Sequence, residues 1–134
     1  MWGSAADARR LYTGITRTTP LLGLTAVDLR TGEIAWRATP ADGGSAPASV
    51  LPGAVLFGSS AGNLFAYSTV DGKALWQFAT ARPFDTVNKV DAKGGSISAA
   101  GPIVADGMVF VTSGYSELGG ADGRGNVLLA FGVQ

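Results

Sequence analysis

The chain contains no cysteine and no histidine, and these two absences remove much of the common catalytic repertoire. Without cysteine there is no thiolate nucleophile, no disulfide and no c-type haem attachment. Without histidine there is no imidazole general base and no zinc site of the usual kind. Any chemistry must therefore use carboxylates, lysine, serine, tyrosine or a cofactor. The lack of cysteine does not assign a compartment, since cytosolic and exported proteins alike can do without it. Charge of one sign is also missing. Ten basic and ten acidic residues cancel, with no like-charge run, so the sequence advertises neither nucleic acid nor an anionic membrane as a partner. No apolar window approaches the roughly 20 residues of a membrane span. The opening MWGSAADARRLYTG lacks a basic segment followed by an apolar run, so no export signal is expected in the chain as given.

What is present is glycine and proline, 20 and six of them, dividing apolar runs of four to six residues. Short apolar runs punctuated by turn residues predict an all-β chain. At 134 residues the length fits one ordinary domain.

The sequence also repeats. AVDLRTGEIAW over residues 26–36 returns as AYSTVDGKALW over 66–76, so that Leu24 matches Leu64, Ala26 matches Ala66, Gly32 matches Gly72 and Trp36 matches Trp76. A period near 40 with one glycine turn and one tryptophan per unit predicts propeller blades of about four strands each. In the second unit, strands are expected at 47–51, 54–58, 63–68 and 74–79, with Pro52-Gly53 and Val70-Asp71-Gly72 as turns. GPIVADGMVFV restarts the pattern at Gly101, and NVLLAF over 126–131 supplies a third strand, with Ala130 aligned to Ala66. In the first unit only three strands can be read, at 9–13, 24–29 and 34–38. The units run roughly 1–40, 45–80 and 98–134, with an inserted link at 81–97, which makes a partial β-propeller of about two and a half four-stranded antiparallel blades. Propellers close with about four to eight blades, and repeat units bury their faces only against neighbours. The expectation is thus a fragment, poorly stable alone, that needs remaining propeller blades or self-association. Trp36 and Trp76 read as inter-blade packing groups, and Gly32 and Gly72 as turn residues with positive φ.

Function is better sought where the units differ, because loops on a rigid scaffold carry sites more often than the scaffold does. The link after Trp76 is 14 residues longer than the one after Trp36, ten residues are added around GYSELGGADG, and five around ITRTTPLL. In an up-and-down blade all three insertions fall on one face of the disc. The long link carries Arg82, Asp85, Asn88, Lys89, Asp91 and Lys93, a mixed polar set able to hold a hydrophilic ligand or a hard cation through oxygen. For any one of these residues, a solvated loop side chain is the competing reading. Gly94-Gly95-Ser96 leads into a strand near the axis, where close backbone approach to a ligand is expected.

AVDLRTGEIAW resembles the tryptophan-docking motif A-x-D-x-x-T-G-x-x-x-W of pyrroloquinoline quinone (PQQ) dehydrogenases, with Ala26, Asp28, Thr31, Gly32 and Trp36 matching. The second copy keeps Ala66, Gly72 and Trp76 but has Ser68 and Asp71 where Asp and Thr stand in the motif. Residues 45–131, with the link FDTVN followed by KGGSI, are similar to the C-terminal blades of polyvinyl-alcohol dehydrogenase-like quinoproteins. The resemblance implies an eight-bladed propeller holding PQQ near calcium, oxidising alcohol groups, passing electrons to a cytochrome c, and residing in the periplasm or outside the cell. No catalytic carboxylate can be matched to a position here, and no CxxCH haem motif is present. The residues assigned to cofactor contact are Asn88, Lys93 and Ser96, with Lys93 as a point charge for a PQQ carboxylate. Two readings compete with the enzyme part: a non-catalytic PQQ-like scaffold that binds proteins, and an inactive truncated fragment.

Overall fold

A computed structural model describes residues 3–15, 23–40, 42, 44, 46–98, 100–115 and 123–132. The strands among these residues are β1 (Ala5–Ala6), β2 (Arg10–Ile15), β3 (Gly23–Asp28), β4 (Ile34–Ala38), β5 (Ser49–Leu51), β6 (Ala54–Gly58), β7 (Asn63–Ser68), β8 (Ala74–Ala79), β9 (Pro83–Phe84), β10 (Ala92–Lys93), β11 (Ile103–Ala105), β12 (Met108–Ser113) and β13 (Val127–Gly132). They form two four-stranded sheets, β1-β2-β3-β4 and β5-β6-β7-β8, a three-stranded sheet β11-β12-β13 and a small hairpin β9-β10. Every pairing is antiparallel between consecutive strands, the up-and-down meander of a propeller blade.

Turn chemistry explains where the strands stop. Gly53 follows Pro52 with φ of 83°, the pattern of a type II turn between β5 and β6. Asp106 and Gly107 both take positive φ, 50° and 74°, as the two-residue β11–β12 hairpin requires. In the first copy of the repeat the Asp28 carboxylate accepts from the backbone N–H groups of Arg30 (2.9 Å) and Thr31 (3.1 Å), and the Thr31 hydroxyl accepts from the Glu33 N–H (3.2 Å). In the second copy Ser68 accepts from Val70 (3.1 Å) and Asp71 (3.4 Å), while the Asp71 carboxylate accepts from Lys73 (3.3 Å). The two departures from the motif thus exchange one oxygen acceptor for another and keep the same turn.

Between each turn and its tryptophan the ladder slips by one residue, from Ala26/Trp36 to Val27/Ile34 and from Ala66/Trp76 to Tyr67/Ala74. A bulge leaves one residue unpaired and re-aims the side chains beyond it. It places each tryptophan opposite an alanine small enough to lie beneath it.

The first unit holds one strand more than the sequence pattern predicts. Ala5–Ala6 pairs with Leu11 and Tyr12, so this blade is four-stranded. Two residues carry too little pattern to be read as a strand. What fixes β1 is Asp7, whose Oδ1 accepts from the N–H groups of Arg9 (2.7 Å) and Arg10 (2.9 Å) and whose Oδ2 accepts from the Tyr12 hydroxyl (2.6 Å).

The blades stack face to face through two apolar seams. Tyr12, Leu24, Trp36, Val55, Phe57, Phe65 and Tyr67 fill the first seam, between the first and second sheets. Ala46, Leu64, Ile97 and Val111 fill the second, toward the third sheet. Alternation along β7 sends Phe65 and Tyr67 one way and Leu64 the other, so a single strand serves both seams.

Candidate functional site on the loop face

The strand order puts the β4–β5, β6–β7, β8–β11 and β12–β13 links on one face, and they touch there. Gly44 in the first link bridges Ser59 in the second. The Ile97 N–H donates to the Ser59 carbonyl (2.9 Å), and the Ser96 N–H to the Gly123 carbonyl (2.8 Å). Of the inserted loops, residues 16–22 and 116–122 lie outside the described residues.

The long link folds back on itself. The β9–β10 hairpin pairs Pro83 with Lys93 and Phe84 with Ala92. Its turn is closed by the Thr86 hydroxyl, which donates to the Val90 carbonyl (2.7 Å) and accepts from the Val90 N–H (3.0 Å). Arg82 lies between two rings, 5.1 Å from the centre of Phe78 and 4.9 Å from that of Phe84, a cation–π sandwich that anchors the hairpin base.

The three residues assigned to a cofactor on sequence do not converge. Asn88 sits exposed in the hairpin turn, and Lys93 is exposed on β10. Ser96 is 1% exposed in the second seam, with its hydroxyl on Ser98 (3.1 Å). The glycines nearby serve backbone packing. A Cβ on Gly94 would overlap the Thr80 carbonyl, one on Gly95 the Gly123 carbonyl, and one on Gly125 the Lys93 carbonyl. The close approach expected at Gly94-Gly95 is thus of backbone to backbone, where the long link crosses the β12–β13 loop. A buried hydroxyl pair locks that crossing. Thr80 donates to the Gly62 carbonyl (2.7 Å) and lies 2.7 Å from the Ser113 hydroxyl, which accepts from the Gly95 N–H (2.9 Å).

The residue that sequence reasoning missed is Asp42. Its Oδ2 accepts from the Ser59 hydroxyl (2.6 Å) and from the Asn63 side-chain amide (2.7 Å). Its Oδ1 is buried and has no hydrogen-bond partner among the described residues. The Tyr67 phenol is pushed up to about 12, first by burial and then by the Asp42 charge. No local signal marks Asp42, because its partners lie 17 and 21 residues away across a blade. One of its carboxylate oxygens is thus committed to the β6–β7 link and the other is buried.

Calcium requires six to eight oxygen ligands, and among the described residues no group of three or more carboxylates could hold a metal ion. Asn88 and Lys93 are exposed and Ser96 is buried, so the three do not present one common surface among the described residues.

Comparison with known proteins gives consistent results. The PQQ_2 family model, described as outer membrane protein assembly factor BamB, matches residues 23–131. A polyvinylalcohol dehydrogenase from Sphingopyxis sp. (strain 113P3) is 38% identical over 99% of this chain and 24% of its own length. One from Pseudomonas sp. is 40% identical with the same coverage. Among solved structures, the quinohemoprotein alcohol dehydrogenase of Comamonas testosteroni superposes with a TM-score of 0.61 at 22% identity, over 81% of this chain and 16% of that one, a likeness of fold. The chain spans about a quarter of the length of the curated relatives it matches.

Proposed function

The chain belongs to the PQQ_2 family, and from that premise we propose that it forms blades of a PQQ-dependent alcohol dehydrogenase of the polyvinyl-alcohol-oxidising kind. The observation that carries this reading is identity of 38–40% to two polyvinylalcohol dehydrogenases across 99% of the chain, a span that includes the long β8–β11 link.

In this reading the chain's own part is structural and electrostatic. Two stacked seams and the Thr80–Ser113 crossing hold the loop face rigid, and the Asp42 carboxylate ties the β4–β5 link to Ser59 and Asn63 there. When bound, PQQ would supply the two-electron chemistry of alcohol oxidation. Its remaining ligands, any calcium site and the catalytic base would come from blades beyond these. Transfer of electrons to a cytochrome c, and a periplasmic or extracellular setting, belong to the same proposal. On this account the chain alone is inactive.

The test is dye-linked oxidation of polyvinyl alcohol by the native polypeptide that contains these blades, reconstituted with PQQ, beside the chain alone. Turnover by the longer polypeptide that requires the quinone, with none by the chain, supports the reading. A longer polypeptide that neither binds PQQ nor oxidises alcohols would refute it. That outcome would favour the second reading, a protein-binding scaffold, to which the family's description as an assembly factor lends support.

A further inference from the structure

We propose that the β9–β10 hairpin carries a binding site for a neutral, hydroxyl-bearing carbon chain, a subsite that holds a stretch of polymeric alcohol away from the atom that reacts. The site is a cavity of about 330 Å³ lined by Phe84, Asp85, Thr86, Lys89, Val90 and Asp91. It lies in the link between the second and third sheets, both of which this chain supplies.

The hairpin holds a fixed shape. Thr86 closes its tip on Val90, and the Lys89 N–H donates to the Thr86 carbonyl (3.1 Å), with Lys89 in the left-handed region at φ of 58°. At the base, the Gly94 N–H donates to the Arg82 carbonyl (2.9 Å) beside the stack of Phe78, Arg82 and Phe84. Asn126 clasps the returning strand from the β12–β13 side. Its side-chain oxygen accepts from the Lys93 N–H (3.0 Å), its side-chain amide donates to the Asp91 carbonyl (3.1 Å), and its backbone N–H donates to the Lys93 carbonyl (2.9 Å). A cavity ordered in advance in this way loses less freedom when a ligand enters.

The groups not used in the hairpin define the ligand. Thr86 commits its hydroxyl to the turn, but the carboxylates of Asp85 and Asp91 and the Lys89 ammonium make no hydrogen bond or ion pair among the described residues. Ionised carboxylates only accept, so they call for donors. An anion would meet two like charges and a single cation. Calcium takes six to eight oxygens, and the two carboxylates here fall short of such a set. Hydroxyl groups fit, because each can donate to a carboxylate, a bond roughly twice as strong as one between neutral partners, and can accept from Lys89. Phe84 and Val90 add an apolar wall for the carbons between the hydroxyls. Free acceptors, one cation and an apolar wall together match a chain that alternates methylene and hydroxyl-bearing carbons. That this chain is a polymeric alcohol rests on the function proposed above.

The test is calorimetric titration of polyvinyl alcohol into the native polypeptide that carries these blades, kept free of quinone. The parent should bind, and the double variant Asp85→Asn, Asp91→Asn should bind about tenfold more weakly, through loss of charge-assisted bonds. Polyethylene glycol, which lacks hydroxyl donors along its length, should bind the parent no better than polyvinyl alcohol binds the variant. Hydrogen exchange of the parent gives a reading that needs no variant: the polymer should slow exchange across residues 84–91. Absence of binding, equal binding by the double variant, equal binding of polyethylene glycol, or unchanged exchange across the hairpin would overturn the proposal. Preference for a soluble glucan over the polymer would assign the cavity to a carbohydrate, and displacement of the polymer by millimolar calcium would assign it to a cation; either result overturns the ligand named here. None of these readouts requires turnover, so they remain legible if the quinone assay fails.

Discussion

Gly32 and Gly72 fill the same turn position with nearly the same φ, 74° and 70°, but what lies above them differs. A Cβ built on Gly32 meets nothing within 4 Å, whereas one on Gly72 would stand 2.6 Å from the Trp36 ring. Substituting alanine at either site forces a left-handed residue at a cost of roughly 1–2 kcal/mol. At Gly72 the methyl must also displace a ring that is 9% exposed and hydrogen-bonded to the Thr69 carbonyl. Overpacking of that kind adds about 1–3 kcal/mol. Gly72→Ala should therefore destabilise the chain by about 1–3 kcal/mol more than Gly32→Ala, measured by urea unfolding followed by far-ultraviolet circular dichroism. It should also move the emission of Trp36 to longer wavelength, checked in a background where the other tryptophans are phenylalanine. Equal losses for the two variants, with unchanged Trp36 emission, would show that the indole is not seated on the neighbouring blade and would refute the inter-blade reasoning.

Other expectations come from the same geometry. Thr80→Val removes the hydroxyl that serves the Gly62 carbonyl and Ser113, and leaving those buried groups short of a partner should cost about 1–3 kcal/mol in the same unfolding assay. Asp7, Asp28 and Asp71 are held below the ordinary carboxylate value, Asp7 chiefly by the Tyr12 hydroxyl, Asp28 by backbone N–H groups and Asp71 by Ser68. Their stabilisation is present above the unfolded value near 3.8 and is lost as pH falls through the lower folded values, so acid melts should be steeper in the parent than in Asp7→Asn. Tyr12 is raised to about 12, first by burial and then by Asp7, and Tyr67 is raised to the same value. That stabilisation is complete below pH 10 and lost as pH rises toward 12, and phenolate absorbance from these two rings should appear only there. Millimolar calcium should leave the unfolding midpoint of this chain unchanged. A saturable upward shift would contradict the expectation drawn from the lack of a carboxylate cluster among its described residues.

The fold was legible where one residue type does one local job. Pro52-Gly53, Asp106-Gly107 and the TG and DG turns mark strand ends because their φ values leave few alternatives, and the strands 54–58, 63–68 and 74–79 fall where the apolar runs predicted. β1 was not legible, since two alanines show no period and its anchor is a side-chain bond from Asp7 to a tyrosine five residues on. The site was less legible still. Ser96 stands out in the sequence for its place after two glycines, but those glycines answer to neighbouring backbone, Gly94 to the Thr80 carbonyl and Gly95 to the Gly123 carbonyl. Asp42 carries no such mark, because its meaning depends on Ser59 and Asn63, brought to it only when the second blade folds. Contacts across a blade leave little trace in short-range pattern.

The most direct test of the central claim is the quinone content of the native polypeptide that carries these blades, measured as PQQ released on denaturation per mole of protein of known intact mass. The account predicts one PQQ on a polypeptide about four times the length of this chain, in line with its 24% share of its relatives. A stable native species of this chain alone, carrying no quinone, would contradict it.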